Sequence, residues 1–301
     1  MKKFIISMGC PFGIGPEIIN KAISKKQIPL KNTVIVGSRL LIKNINAVVV
    51  DPSPINQKIY TAYKGRDSQK SGQLSMTYLN TALELVKEDS NNTALVTCPI
   101  SKYSWWKAGF LFNGHTDYLA NYFKTKRYTM AFYTKDIILF LATIHVPLKN
   151  VSKIITTKRL SMIYTLALDA CKQLKILKPT IAIAGLNPHA GEKGVLGTEE
   201  NNIITPFIKK QSCAFGPFPS DTFFSTPAYK QYDAYIAMYH DQGLAPIKTL
   251  YFSTSVNWTV GLPIIRTSVD HGTAYTIVGM NKADHTNLVS AYRFAQKLLK
   301  Q

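Results

Sequence analysis

Short apolar runs alternate along this chain with segments whose apolar residues recur at helical spacing, and this alternation constrains the possible folds most strongly. Residues 180–184 and 233–238 are two such runs, whereas the apolar residues between Leu74 and Val86 recur every three or four positions. In α/β proteins each helix carries the chain back to the start of the next parallel strand, which produces this pattern. We therefore predict an α/β fold with a mostly parallel sheet.

Other segments refine this prediction. Residues 128–133 and 137–143 are apolar runs separated by a polar tripeptide, which predicts an antiparallel insertion in the sheet. Ser38 predicts a capped helix over residues 38–43. Residues 51–71 are rich in proline, serine, glutamine, lysine and glycine, which predicts a long surface connection.

Three histidines each lie just past an apolar run: His145, His189 and His240. Ligands of open α/β sheets collect at the carboxyl ends of the strands, so these side chains can meet at one edge. Imidazole is a common ligand of zinc-like ions, and three imidazoles leave positions open for a substrate. Because no two of them are four residues apart, spacing alone does not distinguish a metal site from structural histidines.

The residues around His240 concentrate several reactive types. Tyr239 to Lys248 combines His240 with Asp241, Gly243 and Lys248 directly after an apolar run. A histidine, a carboxylate and a lysine crowded at a strand end are more typical of catalysis than of packing. We predict an active-site loop here, with a structurally satisfied histidine as the alternative.

Two turns allow both a ligand-binding and a structural interpretation. The glycine-rich turn over residues 9–15 joins a first strand to a helix, as phosphate loops do, but fits neither the GxGxxG pattern nor a Walker loop. A tight strand-to-helix turn is the alternative. His115 and Thr116 open a predicted helix whose free N–H groups favour an anion, and a capping threonine is the alternative.

Composition narrows the range of partners and compartments. The chain has 301 residues and a formal net charge of +19, but its cations are scattered and lack a nucleic-acid-binding motif, so we expect no nucleic-acid partner. The cysteines are too widely spaced for a disulfide framework or a structural zinc site, which predicts a reducing cytoplasm. No apolar run approaches the roughly 18 residues of a membrane span.

Five motifs, in this order, resemble the 4-hydroxythreonine-4-phosphate dehydrogenase family of pyridoxal phosphate biosynthesis. They span nearly the whole chain: Gly13–Glu17, Gly114–Thr116, Gly185–Glu192, Tyr239–Leu250 and Gly261–Thr273. The resemblance implies two α/β/α domains, as in isocitrate and isopropylmalate dehydrogenases, and a homodimer whose active site lies in the interdomain cleft and is completed by the partner subunit. It implies one domain of residues 1–109 with 265–301, and a central domain of residues 110–264 that carries metal and dimer contacts.

The resemblance also implies roles for individual residues. The family's metal-binding histidines fall on His145, His189 and His240. Its substrate-binding residues fall on His115, Thr116, Lys248, Asn257 and Arg266. The candidate catalytic residues are Lys248, Asp241 and Asp221, because a lysine can stabilise an oxyanion and a carboxylate can orient a histidine or move a proton. For Asp221 a helix cap or a structural salt bridge is the alternative, and no dinucleotide-binding residue is identified.

The implied reaction depends on NAD or NADP and on a divalent metal such as zinc, magnesium, cobalt or manganese. 4-Phosphohydroxy-L-threonine would be oxidised to 2-amino-3-oxo-4-(phosphooxy)butanoate, which decarboxylates to 3-amino-2-oxopropyl phosphate. A paralogous dehydrogenase of 4-phospho-D-threonate or 4-phospho-D-erythronate is the nearest alternative, and a basic binding protein without catalysis is an alternative of another class. Many family members have Asp in place of Cys10 and a small residue in place of Phe12, so we expect a differently packed first turn.

Overall fold

The computed structural model describes residues 2–300, which form two compact units. Unit 1 contains residues 2–124 and 262–300, and unit 2 contains residues 125–261. The chain first crosses between them at residue 125 rather than at residue 110. The helix that begins at His115 therefore belongs to unit 1, not to the central unit.

Each unit contains its own group of adjacent strands. Unit 1 has β1 (Lys3–Ser7), β2 (Thr33–Val36), β3 (Val48–Val50), β4 (Thr93–Thr97) and β11 (Ile265–Ser268). Unit 2 has β5 (Thr129–Tyr133), β6 (Ile138–Leu141), β7 (Ile181–Ala184), β8 (Ala214–Phe218), β9 (Ala234–Ala237) and β10 (Val256–Val260).

The strand order confirms the predicted α/β class. In unit 1 the strands are parallel, in the order β3-β2-β1-β4-β11. In unit 2 the order is β10-β5-β6-β9-β7-β8. Here β5 is antiparallel to both β10 and β6, and the remaining pairs are parallel, which confirms the antiparallel insertion. Strands β6, β7 and β9 are buried at every position, which is why they occur in the sequence as unbroken apolar runs.

Helices connect most of these strands. Unit 1 has α1 (Gly15–Ser24), α2 (Gln57–Tyr63), α3 (Gln69–Lys87), α4 (Lys102–Lys107), α5 (His115–Tyr122) and α11 (Thr286–Leu299). Unit 2 has α6 (Val151–Ile154), α7 (Thr157–Gln173), α8 (Thr205–Ile208), α9 (Ser220–Phe223) and α10 (His240–Tyr251), with a π-helical segment, Glu200–Ile204, directly before α8. The apolar stripe between Leu74 and Val86 is buried on α3, as its spacing predicts. Within residues 2–300, no helix has both the length and the apolar content needed to cross a membrane.

The helix predicted over residues 38–43 is wrong. The chain forms only a short 3₁₀ turn, Arg39–Leu41, and Ser38 makes no capping hydrogen bond. Asp51 accepts the Arg39 N–H at 2.8 Å instead, and the Arg39 guanidinium donates to the carbonyls of Asn44 and Ala47, at 2.8 and 3.1 Å. These contacts hold an open turn that a continuing helix would not allow.

The long surface connection predicted over residues 51–71 is also wrong, because it contains α2. Asn56 caps this helix by accepting the Ile59 N–H at 2.9 Å. Tyr60 and Tyr63 of α2 lie against the fully buried ring of Phe12, with centroids 6.4 and 5.5 Å apart. Tertiary aromatic contact thus stabilises this short helix, and it shows how Phe12 packs the first turn.

Candidate active site

The three histidines follow three adjacent parallel strands of unit 2. His145 comes after β6, His240 after β9 and His189 after β7, and β9 lies between the other two. Because the strands are parallel, their carboxyl ends lie at the same edge of the sheet. Sequence alone placed each histidine after a strand, and the strand order makes these three strands neighbours.

Two of these histidines are close enough to share an ion. The ring centroids of His145 and His240 are 5.7 Å apart. Two imidazoles bound to one zinc-like ion at ordinary metal–nitrogen distances have ring centroids about 5 to 6 Å apart. The pair therefore fits a common ion, and His145 is exposed to solvent, so a ligand can reach it.

Asp241 is placed to orient one of these rings. Its Oδ1 lies 2.7 Å from His240 Nδ1, while the Asp241 side chain is 88% exposed. A carboxylate at Nδ1 fixes the tautomer and leaves Nε2 available to a metal ion. The role considered for Asp241 from the sequence, to orient a histidine or to move a proton, stays a prediction.

His189 does not join this pair within the chain. It is exposed, and it begins an unusual turn after β7 in which six consecutive residues, 189–194, have positive φ. Among residues 2–300, no three His, Cys, Asp or Glu side chains come together as a metal-binding group. Two of the three candidate imidazoles are thus adjacent within residues 2–300, and His189 lies in the turn after β7.

The active-site loop predicted around His240 is wrong in one respect, because α10 begins at His240 itself. The helix can start so near the sheet because Gly243 has no side chain. A Cβ at Gly243 would lie 2.6 Å from Leu139 Cδ1 of β6 and 2.9 Å from Ala237 Cβ of β9. This close approach places His240 at the ends of both strands.

Replacement of Gly243 by alanine should therefore destabilise the protein. In an exposed helix the same change stabilises by about 1 kcal/mol, but here the added methyl must displace Leu139 or the helix, at a cost of about 1–3 kcal/mol. Urea unfolding of Gly243→Ala and of the exposed control Ala245→Ser tests this. An unfolding free energy equal to or above that of wild type in Gly243→Ala would contradict the close approach.

Three further candidates lie elsewhere in unit 2. Lys248 is partly buried on α10, two turns after His240, and Asn257 is partly buried on β10 opposite Phe132. Asp221 is exposed in the first turn of α9, whose N-cap is Pro219. Neither structural alternative for Asp221 is seen, since it is not the cap and no ion pair involves it among the described residues.

Unit 1 contains a buried cation among the remaining candidates. Arg266 of β11 is 2% exposed, and its Nε and Nη2 donate to Thr97 Oγ1 at the end of β4, at 3.1 and 2.7 Å. Burial lowers the pKa of Arg266 to about 9, so the guanidinium remains charged at neutral pH. A desolvated guanidinium interacts strongly with a carboxylate or phosphate, whose oxygens match its planar fork.

His115 lies in the same unit with an unused nitrogen. It is the first residue of α5 and is 8% exposed, and the ring of Trp105 packs edge-on against it at 5.5 Å. Burial, and then the charge of Arg266, hold the pKa of His115 well below its usual value, so the ring is neutral. Its Nε2 has no hydrogen-bond partner among the described residues. An unsatisfied buried nitrogen is costly, so this atom is a strong candidate for a ligand contact.

Thr116 is also buried, but it does not cap the helix. The N-cap of α5 is Gly114, which makes no side-chain capping bond. The structural alternative considered for this pair is therefore not seen.

The low pKa of His115 makes stability depend on pH. Below the unfolded-state value near 6.5 the unfolded chain binds a proton that the folded His115 does not, so stability falls by up to about 1.4 kcal/mol per pH unit. Above that pH His115 is neutral in both the folded and the unfolded chain, so it no longer changes stability with pH. Urea unfolding between pH 7.5 and about 5 should show a flatter profile for His115→Gln than for wild type. His285, whose pKa burial also lowers, is present in both proteins and cancels in the difference; parallel profiles would contradict the assignment.

The glycine-rich first turn fits the structural interpretation. The N–H of Cys10 donates to Pro99 O at 2.8 Å and that of Ile14 to Thr273 O at 3.1 Å, so these amides are not directed at an anion. The Cys10 thiol lies 2.9 Å from Ser71 Oγ, and burial raises its pKa. Cys10 therefore packs as a small neutral side chain.

Sequence reasoning missed several residues that support the site. Thr97 was visible as a polar residue ending a strand, but nothing marked it as a partner of Arg266. Glu200 and Gln242, whose contacts hold the ends of β7 and β9, carried no signal in their spacing. Glu200 bonds the backbone of Leu186 and Asn187, 14 and 13 residues earlier, and Gln242 bonds the Gly185 carbonyl, 57 residues earlier.

Comparisons with known proteins show which proteins this chain is similar to. A family model described as "Pyridoxal phosphate biosynthetic protein PdxA" matches residues 17–295. The 4-hydroxythreonine-4-phosphate dehydrogenase of Sulfurihydrogenibium sp. is 40% identical over 98% of both chains. The D-threonate 4-phosphate dehydrogenase of Salmonella typhimurium is 34% identical over 99% of both chains. The crystal structure of 4-hydroxythreonine-4-phosphate dehydrogenase from Klebsiella pneumoniae superposes with a TM-score of 0.84 at 30% identity, covering 99% of this chain and all of that one.

Proposed function

Because this chain belongs to the PdxA family of pyridoxal phosphate biosynthetic proteins, we propose that it oxidises 4-phosphohydroxy-L-threonine with NAD or NADP. The product would decarboxylate to 3-amino-2-oxopropyl phosphate. The observation that carries the proposal is the His145–His240 pair, oriented by Asp241 at the ends of adjacent parallel strands. A relative 40% identical over 98% of both chains supports the same substrate.

Each candidate residue would have its own role in this reaction. His145, His240 and His189 would hold a divalent ion, which as a Lewis acid lowers the pKa of the substrate's C3 hydroxyl. NAD or NADP would accept the hydride. Arg266 and His115 Nε2 would bind the phosphate or carboxylate of the substrate, the first through its fork and the second as a hydrogen-bonding nitrogen. Lys248 would hold or move the proton at the substrate oxygen, with Thr116 and Asn257 as further substrate contacts.

We propose that each site is shared between two subunits of a homodimer. One subunit would supply His145 and His240, and its partner His189. Three features support this arrangement: the close pair, the exposure of His145 and His189, and the lack of a three-residue metal group in the described part of one chain. The four cysteines are unpaired, as in proteins of a reducing cytoplasm, where we place the enzyme.

Subunit mixing tests the shared site. When inactive His145→Ala and His189→Ala chains are unfolded and refolded together, half of the dimers are mixed and one of their two sites is intact, so about a quarter of wild-type activity should return. A mixture of His145→Ala and His240→Ala, whose lesions fall in the same half-site, should stay inactive. Recovery in neither mixture would contradict the shared arrangement.

The nearest alternative substrate is 4-phospho-D-threonate, because a relative named for that activity is 34% identical. 4-Phospho-D-erythronate belongs to the same class. NADH or NADPH formation should be measured with each compound at matched concentrations, with and without chelator. A higher kcat/KM for the threonate would reassign the substrate, and no turnover with any of them would contradict the proposal. The binding protein without catalysis is set aside, since the relatives on which the family assignment rests are dehydrogenases.

A further inference from the structure

A buried carboxylate outside the histidine set holds the turn that carries His189. Glu200, the first residue of the π-helical segment, is 2% exposed. Its Oε1 accepts the backbone N–H groups of Leu186 and Asn187, at 2.7 and 2.8 Å. Its Oε2 accepts Asn187 Nδ2 at 2.9 Å. One side chain thus satisfies three donors where the chain leaves β7.

The turn that follows is strained. The five residues 189–193 all have φ between 41° and 81°, which makes a left-handed turn with His189 as its first residue. Only Gly191 among them is a glycine, and other residues lose roughly 1 kcal/mol or more each in this conformation. Such a run persists only where neighbouring structure determines it, and strain of this kind clusters at functional sites.

The residues on either side of Glu200 in the chain also form hydrogen bonds with this turn. Glu199 Oε2 accepts Asn187 Nδ2 at 2.8 Å, and Asn201 Nδ2 donates to the Lys193 carbonyl at 3.0 Å. Gly191 packs directly on the carboxylate, since a Cβ there would lie 2.5 Å from Glu200 Oε2. The turn is therefore held at its start, its middle and its end.

A second link joins this region to the His240 helix. Gln242 Oε1 accepts the Met238 N–H at 2.6 Å, and Gln242 Nε2 donates to the Gly185 carbonyl at 2.7 Å. The ends of β9 and β7 are thus tied together just before His240 and His189.

We propose that Glu200 is a positioning residue that keeps the left-handed turn in the shape that presents His189 to the shared metal site. This inference rests on the proposed function, because it assigns His189 a ligand role. A carboxylate suits the position because it only accepts hydrogen bonds and can take all three donors. A glutamine would keep one accepting oxygen but would direct an NH₂ group at Asn187 Nδ2.

Two measurements on the full-length protein test this proposal. The first is tryptic cleavage after Lys193 in metal-free protein, followed by mass spectrometry. Cleavage should be at least about tenfold faster in Glu200→Gln and faster still in Glu200→Ala, because it tracks the open population of the turn. The second is Co²⁺ affinity by titration calorimetry, which should weaken by about 10- to 100-fold in Glu200→Gln, as expected for a residue behind a ligand.

The control is Asn202→Ala, an exposed change on the same helical segment that should alter neither measurement. Thermal midpoints of all variants separate a local effect from global destabilisation. Wild-type cleavage or wild-type Co²⁺ affinity in both Glu200 variants would overturn this inference while leaving the proposed metal site intact. A wild-type protein that binds no Co²⁺ would overturn the proposed site, and this inference with it.

Discussion

Replacement of His240 by alanine is expected to lower kcat/KM by about 10³-fold or more. Loss of the metal's Lewis-acid contribution corresponds to several kcal/mol of the barrier, and each 1.36 kcal/mol is a factor of ten. The variant should also bind Co²⁺ weakly, because only His145 of the close pair remains. Steady-state kinetics with added metal and equilibrium dialysis measure the two losses.

Two further variants serve as comparisons for His240→Ala. Asp241→Asn removes the carboxylate 2.7 Å from His240 Nδ1 and should weaken metal affinity by only about 10- to 100-fold. Thr249→Ala, an exposed change on the same helix, should leave both quantities unchanged. Chelation of wild type should reproduce the His240→Ala loss. Full turnover in the chelated enzyme, or in His240→Ala, would remove the metal site from the mechanism.

Replacement of Arg266 by methionine should weaken substrate binding but leave the stability of the fold nearly unchanged. The guanidinium is 2% exposed, and a charge-assisted contact to substrate in such a site is worth about 2–4 kcal/mol, so kcat/KM should fall about 30- to 1000-fold, mainly through KM. Stability should change by less than about 1 kcal/mol, because methionine fills similar volume and removes a desolvated charge. Arg266→Lys keeps the charge but loses the fork on Thr97, and should recover only part of the affinity.

Arg39→Met is the control, because it should lower the stability of the fold without changing kcat/KM. Arg39 holds the turn after β2 through the carbonyls of Asn44 and Ala47, so its loss should cost about 1–3 kcal/mol of unfolding free energy. Its kcat/KM should remain that of wild type. Equal KM values in Arg266→Met and wild type would show that the buried guanidinium does not bind substrate.

Much of the fold could be predicted from local pattern. The fully buried strands β6, β7 and β9 stand out as apolar runs, and the stripe of α3 has a clear helical period. The elements that were missed depend on distant contacts. Helix α2 packs on Phe12, about 50 residues earlier in the chain, and the residues after Ser38 are held by Asp51 instead of a helix. Periodicity over a short window contains no information about such partners.

The candidate site divides in the same way. Residue type and position after a strand were sufficient to single out His145, His189 and His240. The start of α10 at His240 was not predictable, because it depends on Gly243 fitting against Leu139 and Ala237. The His115 nitrogen, which has no hydrogen-bond partner within residues 2–300, and the buried charge of Arg266 likewise follow from packing, not from their sequence neighbours.

The sequence by itself determined the α/β class, the antiparallel insertion, the family and the identity of the three histidines, because hydrophobic period and residue type are local properties. Only the tertiary structure decided that β6, β9 and β7 are neighbours, that two imidazoles form a pair without the third, and that Glu200 holds the strained turn of His189. Those features depend on strand order and on single hydrogen bonds between residues far apart in the chain, and many different sequences with the same local pattern would not form them.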